Sequence, residues 1–124
     1  MNIYTGDVAR LDLDSGELTR EPFAAYREFV GGRGVNQQIL LREMPRGRDP
    51  FDPETLLVFG AGLLAGTDAP GACRLNVDSL NALTGGIGSG NCGGFFAPEL
   101  RRAGIPSGSE RLRELLVLCI GRER

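Results

Sequence analysis

The chain has 124 residues, 41% of them hydrophobic and 24% charged, with a formal net charge of −2. That suits one modest globular domain, shows no basic stripe of the kind that binds nucleic acid, and holds no apolar run near the roughly 20 residues that span a bilayer. His and Lys are both absent, which excludes an imidazole base, a His metal ligand, a P-loop lysine and a Schiff base.

All fourteen cations are Arg. Any phosphate must therefore be held by Arg forks or by backbone N–H groups. The opening "MNIYTGDVARLD" has no basic segment followed by an apolar one, so no secretory signal is expected. Cys73, Cys92 and Cys119 are widely spaced and form no C-x-x-C pair. A zinc or iron–sulfur site made by this chain alone is not expected, and reduced thiols in a cytoplasmic protein are the default.

In chain order, "GDVARLDLDSGELTRE" reads as a β-hairpin with Val8, Leu11 and Leu13 as its apolar positions and "DSG" as its turn. "EPFAAYREFVGG" predicts a short helix with Pro22 in its first turn, a face of Phe23, Tyr26 and Val30, and Gly31 as the C-cap residue. "GVNQQILLREMP" predicts a second helix that buries Val35, Ile39 and Leu40 and ends at Pro45. Gly31, Gly32 and Gly34 shape the turn between them. Arg33 is either a cap on a helix C-terminus or a functional cation. After the proline-punctuated loop "RGRDPFDPE", "TLLVFGAG" reads as a short buried strand. In "CRLNVDSL" the pattern alternates, with Leu75 and Val77 on one face and Arg74, Asn76 and Asp78 on the other. "APELRRAG" predicts a short helix with Pro98 near its start and Gly104 near its end. The apolar run from Leu115 to Ile120 suits either one more strand, closed by Gly121, or part of a frame-shifted or truncated tail.

The stretch "TGGIGSGNCGGFF" puts six glycines into thirteen positions, and ten of the nineteen glycines lie between Gly60 and Gly94. Three readings compete. A linker is disfavoured by Ile87, Phe95 and Phe96, because flexible linkers are polar. Gly88, Gly90 and Gly93 match G-x-G-x-x-G, but the dinucleotide fingerprint needs a buried strand directly before the first glycine, and "NALTGGI" is turn-like. The third reading is a set of loops whose N–H groups form an anion-binding cradle. In it Arg74 forks onto a phosphate and Asn91 bonds a phosphate or a hydrated metal. Both keep a plainer alternative, Arg74 as a solvated strand residue and Asn91 as a turn residue. Cys92 is either an exposed thiol of the loop or a small filler. Nothing in the stretch looks like a catalytic acid, base or nucleophile.

The motifs "VGGRGV", "AGLLAGTDAPG", "LTGGIG" and "NCGGFFAPELRRAG", with the opening "YTGDVARLDLDSGEL" and "DPFDPETLLVF", resemble the N-terminal domain of the tungsten-containing aldehyde ferredoxin oxidoreductases. The likeness runs in order from about Ile3 to Ile105. It implies an α+β fold, a mixed or antiparallel sheet with short helices, forming part of a two-repeat platform beneath a tungsten or molybdenum bis-pyranopterin whose phosphates are bridged by magnesium. By that resemblance Arg74 matches a cofactor contact, Asn91 a contact to the magnesium–phosphate group, and Gly93 a backbone contact to the pterin; Gly94 and Cys92, beside it, are expected to be cofactor-binding as well.

The resemblance also implies oxidation of an aldehyde to a carboxylic acid, with electrons passed to ferredoxin through a 4Fe–4S cluster. The cluster cysteines and catalytic acids belong to later domains. The expected organisation is therefore a partial domain over residues 1–105, about the first repeat, and a divergent tail over 106–124. The chain departs from the family pattern at Ser79–Ala82, at Cys92, and in "PSGSERLREL". No turnover is expected of it alone, and the expected partner is the remainder of the oxidoreductase, with no nucleic acid or membrane involved. A free-standing phosphate- or nucleotide-binding module and a non-functional fragment are the alternatives.

Overall fold

The computed structural model describes residues 6–13 and 15–102, and the backbone of Val117–Gly121. Six strands form one sheet: β1 (Asp7–Asp12), β2 (Leu18–Pro22), β3 (Leu57–Ala61), β4 (Leu75–Leu80), β5 (Ile87–Cys92) and β6 (Val117–Gly121), in the order β2-β1-β6-β3-β4-β5. Only the β1–β6 pair is parallel; β1–β2, β3–β6, β3–β4 and β4–β5 are antiparallel. Two α-helices, α1 (Arg33–Glu43) and α2 (Phe96–Arg102), and a 3-10 helix (Phe23–Phe29) complete the described elements. This is the α+β arrangement expected from the sequence.

The hairpin forms as its turn chemistry dictates. Asp12 N–H donates to Glu17 O at 3.0 Å, Gly16 N–H to Asp12 O at 2.9 Å, and Ser15 N–H to Asp12 Oδ1 at 3.0 Å. Val8 is fully buried, but Leu13 is 49% exposed and belongs to the turn rather than the core.

The first predicted helix is a 3-10 segment that ends one residue early. Val30 leaves it with φ 65° and ψ −57° and stands exposed, so Phe23 and Tyr26 carry the buried face without it. Gly31 is not the cap; the Val30 N–H closes the segment onto Arg27 O at 3.2 Å. Arg33 opens α1, and among the described residues its side chain makes no hydrogen bond to a helix C-terminus. Gly34 is required by space, since a Cβ there would lie 2.3 Å from Phe29 O.

α1 lies over one face of the sheet. Gly60 faces it, as a Cβ at that position would meet the Asn36 side chain; by alternation Val58 faces it too. Val35, Ile39 and Leu40 pack there with Val8, Phe23 and Tyr26. The other face is covered more sparsely: α2 packs on β3, with the Phe59 and Phe96 rings 6.3 Å apart.

The polar face of β4 is not a solvent face. Asn36 Nδ2 donates to Val58 O (3.2 Å), Asn76 O (3.3 Å) and Asp78 Oδ2 (2.6 Å), and Asn36, Asn76 and Asp78 are all buried. The glycine-rich stretch also departs from expectation. Ile87–Cys92 is a strand, not a loop, with Gly88, Gly90 and Cys92 opposite Ser79, Val77 and Leu75. Gly104 and Leu115 lie outside the described residues.

Candidate functional site

The site is built where β4 begins and β5 ends. Asn76 and Asn91 are directly opposed across the β4–β5 ladder. Asn91 Nδ2 donates to Asn76 Oδ1 at 2.7 Å, and Arg74 Nη1 donates to Asn91 Oδ1 at 2.9 Å. Alternation puts Arg74, Asn76 and Asn91 on the same face, and cross-strand geometry brings such pairs close enough to bond. Asn76 is buried, whereas Arg74 and Asn91 are exposed. The pair therefore presents a planar guanidinium and a carboxamide to solvent from a fixed base. The other N–H groups of the Arg74 fork make no bond among the described residues.

Arg74 also lines a cavity of about 610 Å³. Its walls are the turn Val30–Gly31 and the loop that leaves β3, including Leu63, Leu64, Pro70 and Ala72. The two turns are in van der Waals contact, since a Cβ on Gly31 would meet Leu63 Cγ at 3.0 Å. Beneath the loop, Arg101 of α2 donates through Nη1 to Gly62 O (3.2 Å) and Leu63 O (2.5 Å). Arg101 is 3% exposed, makes no ion pair among the described residues, and its pKa is pushed down by burial. It pins the loop that forms the cavity wall, a function that sequence reading missed because "ELRRAG" looks like a solvated helix end. A second cavity of about 390 Å³ lies on the other side of the same loop, against Cys73, Gly94, Phe95 and Arg102.

The structure brings Arg74 and Asn91 together, with Gly93 and Gly94 immediately beyond them and Gly94 at φ 115°. It separates Cys92, whose side chain points to the opposite sheet face from Asn91. A Cβ on Gly93 would lie 4.0 Å from Cys73 Sγ. The G-x-G-x-x-G match begins on an edge strand rather than in a strand-to-helix turn, so it lacks the helix N-terminus that the dinucleotide mechanism needs. Among the described residues no group of three or more His, Cys, Asp or Glu side chains is placed to hold a metal. An exposed Arg–Asn pair beside a largely apolar cavity can bind an anionic group attached to a flat or apolar body; it offers no general base and no nucleophile.

Residues 8–107 match the family model for the aldehyde ferredoxin oxidoreductase N-terminal domain. The chain belongs to that family. It is 40% identical over 103 residues to the tungsten-containing aldehyde ferredoxin oxidoreductase of Pyrococcus horikoshii and equally to that of Pyrococcus abyssi, covering 82% of this chain and 17% of each relative. The Pyrococcus furiosus relative of the same name is 39% identical over 101 residues. Among solved structures, the active-site complex BamBC of benzoyl coenzyme A reductase with 1,5-dienoyl-CoA superposes with a TM-score of 0.77 at 35% identity, over 94% of this chain and 17% of that one. The chain thus spans about a sixth of the length of the relatives it matches. No helix among the described residues is long and apolar enough to cross a membrane.

Proposed function

We propose that this chain forms the cofactor-cradling part of an aldehyde ferredoxin oxidoreductase. The observation that carries the reading is the Arg74–Asn91 pair, fixed at 2.9 Å and set at the rim of a cavity walled by two glycine turns. A pyranopterin phosphate has the charge to engage the free N–H groups of Arg74. The Asn91 carboxamide oxygen would offer a ligand, directly or through water, to a magnesium ion accompanying the phosphate. The N–H groups of Gly93 and Gly94 supply backbone contacts beside them. The apolar wall from Val30 to Ala72 suits the flat body of the pterin. Cys92 stands outside this contact set because its side chain faces the other side of the sheet.

When bound, the tungsten or molybdenum pterin supplies the two-electron oxidation of an aldehyde to a carboxylic acid. This chain's residues bind and orient it and exclude water from one side. The 4Fe–4S ligands, the proton-handling groups and the ferredoxin contact are supplied by the remaining oxidoreductase domains or a partner chain, in the cytoplasm. Residues 1–105 form the cradle and 106–124 a divergent tail that contributes one strand. The test is tungsten, molybdenum and pterin analysis of the protein purified untagged from its native host. Stoichiometric metal and pterin in the wild type, lost in Arg74→Ala with Asn91→Ala, supports the reading. A folded chain free of both overturns it.

A further inference from the structure

Arg101 is a buried cation whose Nη2 has no hydrogen-bond partner and which makes no ion pair among the described residues. Taking a lone guanidinium out of water is costly, and here it is offset by two carbonyls, Gly62 O and Leu63 O, both bonded by Nη1. Those bonds fix the direction of two other groups. The peptides are trans, and a planar trans peptide points its N–H opposite to its C=O. The Leu63 N–H shares a peptide with Gly62 O, and the Leu64 N–H shares one with Leu63 O. Both N–H groups therefore point away from Arg101.

What they point at is the cavity of about 610 Å³, which Leu63 and Leu64 both line. Gly31 gives the same direction independently. A Cβ on Gly31, in the opposite wall, would lie 3.7 Å from Leu63 N, so the glycine leaves that N–H uncovered. Neither donor is used by the fold among the described residues. The turn that follows β3 is closed by Ala65 N–H to Gly62 O at 3.0 Å, and the next by Thr67 N–H to Leu64 O at 3.1 Å. The sign of the charge around the cavity is also uniform. Arg74 is the one charged side chain among the described residues that line it. Asp68 lies in the same loop but lines the cavity on its other side.

We propose that the Leu63 and Leu64 N–H groups form an anion-binding nest in this cavity, turned outward by Arg101, that takes one oxygen of a phosphate or a carboxylate. Successive N–H groups in a turn converge on a single anionic oxygen. The guanidinium behind the two peptides adds to the positive end of their dipoles, and Arg74 adds charge from the rim. The nest is made of backbone, so it is a separate contact from the Arg74–Asn91 pair. It stands whether or not the ligand is a pterin.

The experiment is an amide NMR titration of the full chain with inorganic phosphate and, in parallel, with acetate, at an ionic strength fixed by chloride. The Leu63 and Leu64 amide protons are expected to move downfield along a saturable curve, with a dissociation constant on the order of 1 mM. Tighter binding of phosphate assigns the oxygen to a phosphate group, and tighter binding of acetate assigns it to a carboxylate. Leu63→Pro removes one donor at the second position of a turn, where proline fits, and weakens binding by about tenfold. The ester made by placing the α-hydroxy acid of leucine at position 63 removes the same N–H, keeps the buried side chain and gives the same loss. Arg74→Ala leaves both amides responsive, which separates the nest from the Arg74–Asn91 pair. Shifts that stay linear with both anions overturn the proposal. So does binding that survives loss of the Leu63 N–H in the ester, and so do amide shifts that vanish in Arg74→Ala.

Discussion

Gly60 and Asn36 make the sheet–helix contact testable. A Cβ on Gly60 would lie 2.3 Å from Asn36 Oδ1 and 2.8 Å from its Cγ. Asn36 has no exposed surface, so it cannot swing into solvent to make room. Gly60→Ala therefore drives its amide off Val58 O, Asn76 O and Asp78 Oδ2. Bonds to carbonyls are worth about 0.5–1.5 kcal/mol each and a bond to a carboxyl oxygen about 1.5–3 kcal/mol. The expected loss is about 3–5 kcal/mol, a large part of the ~5–15 kcal/mol that holds a domain. For a urea m-value of about 2 kcal/mol/M the midpoint falls by about 2 M.

The chain has no Trp, so far-UV circular dichroism is the probe. The deciding comparison is Gly60→Ala in an Asn36→Ala background, where the obstacle is gone and the added loss is expected to be under about 1 kcal/mol. If Gly60→Ala is equally damaging there, the strand backbone and not Asn36 sets the penalty, and the reasoning fails.

Three further outcomes are expected. Val30 is a β-branched residue at φ 65°, so Val30→Gly relieves strain that exceeds the entropy glycine adds to the unfolded chain and stabilises by about 1 kcal/mol; a lower melting temperature contradicts this. Arg101→Met leaves the Leu63 carbonyl without its donor and Gly62 O with only the Ala65 N–H, costs about 1–3 kcal/mol and speeds amide exchange across residues 62–66, whereas unchanged exchange shows that the loop holds itself. Tyr26 donates to Glu21 Oε1 at 2.9 Å, and burial first, then Glu21, raises its pKa above the ordinary 10.0. The folded state thus holds the phenol proton more tightly, so this stabilisation is complete below about pH 10 and is lost as pH rises through the raised value. Tyr26→Phe should flatten the alkaline limb of the stability curve; an identical slope in both proteins refutes the assignment.

The sequence made the elements legible where one strong local signal decided them. The hairpin turn, the Val35–Ile39–Leu40 face of α1 and the alternation of β4 all appear where their residues place them. What it hid was tertiary. Asn36, Asn76 and Asp78 look solvated by residue type, yet they are buried between α1 and the sheet because each finds a partner there, and partners are not local in sequence. The run from Gly85 to Gly94 looks like a loop because glycine disfavours strands; β4 nevertheless takes Ile87–Cys92 as a strand, since glycine lacks a side chain and not an N–H. Arg101 was hidden by the same logic: a buried cation bonded only to carbonyls leaves no charge pattern to read.

The candidate site gains its definition from that hidden core. Asn36 Nδ2 binds Asp78 Oδ2 and the Asn76 carbonyl, Asn76 Oδ1 accepts from Asn91, and Asn91 Oδ1 accepts from Arg74. A connected row of polar groups thus runs from the buried face of α1 to an exposed guanidinium. An isolated surface Arg and Asn would sample many rotamers and lose that freedom on binding an anion. Here the inner members of the row are buried, so the carboxamide is oriented before any ligand arrives and Arg74 is oriented by the carboxamide. The row also explains why a polar face was placed against the core at all: residues chosen for burial alone would be apolar, whereas these transmit the position of α1 to the rim of the cavity. Substituting Asn76 by Leu should keep the sheet paired but release Asn91, weakening phosphate-bearing ligands through lost orientation rather than lost charge.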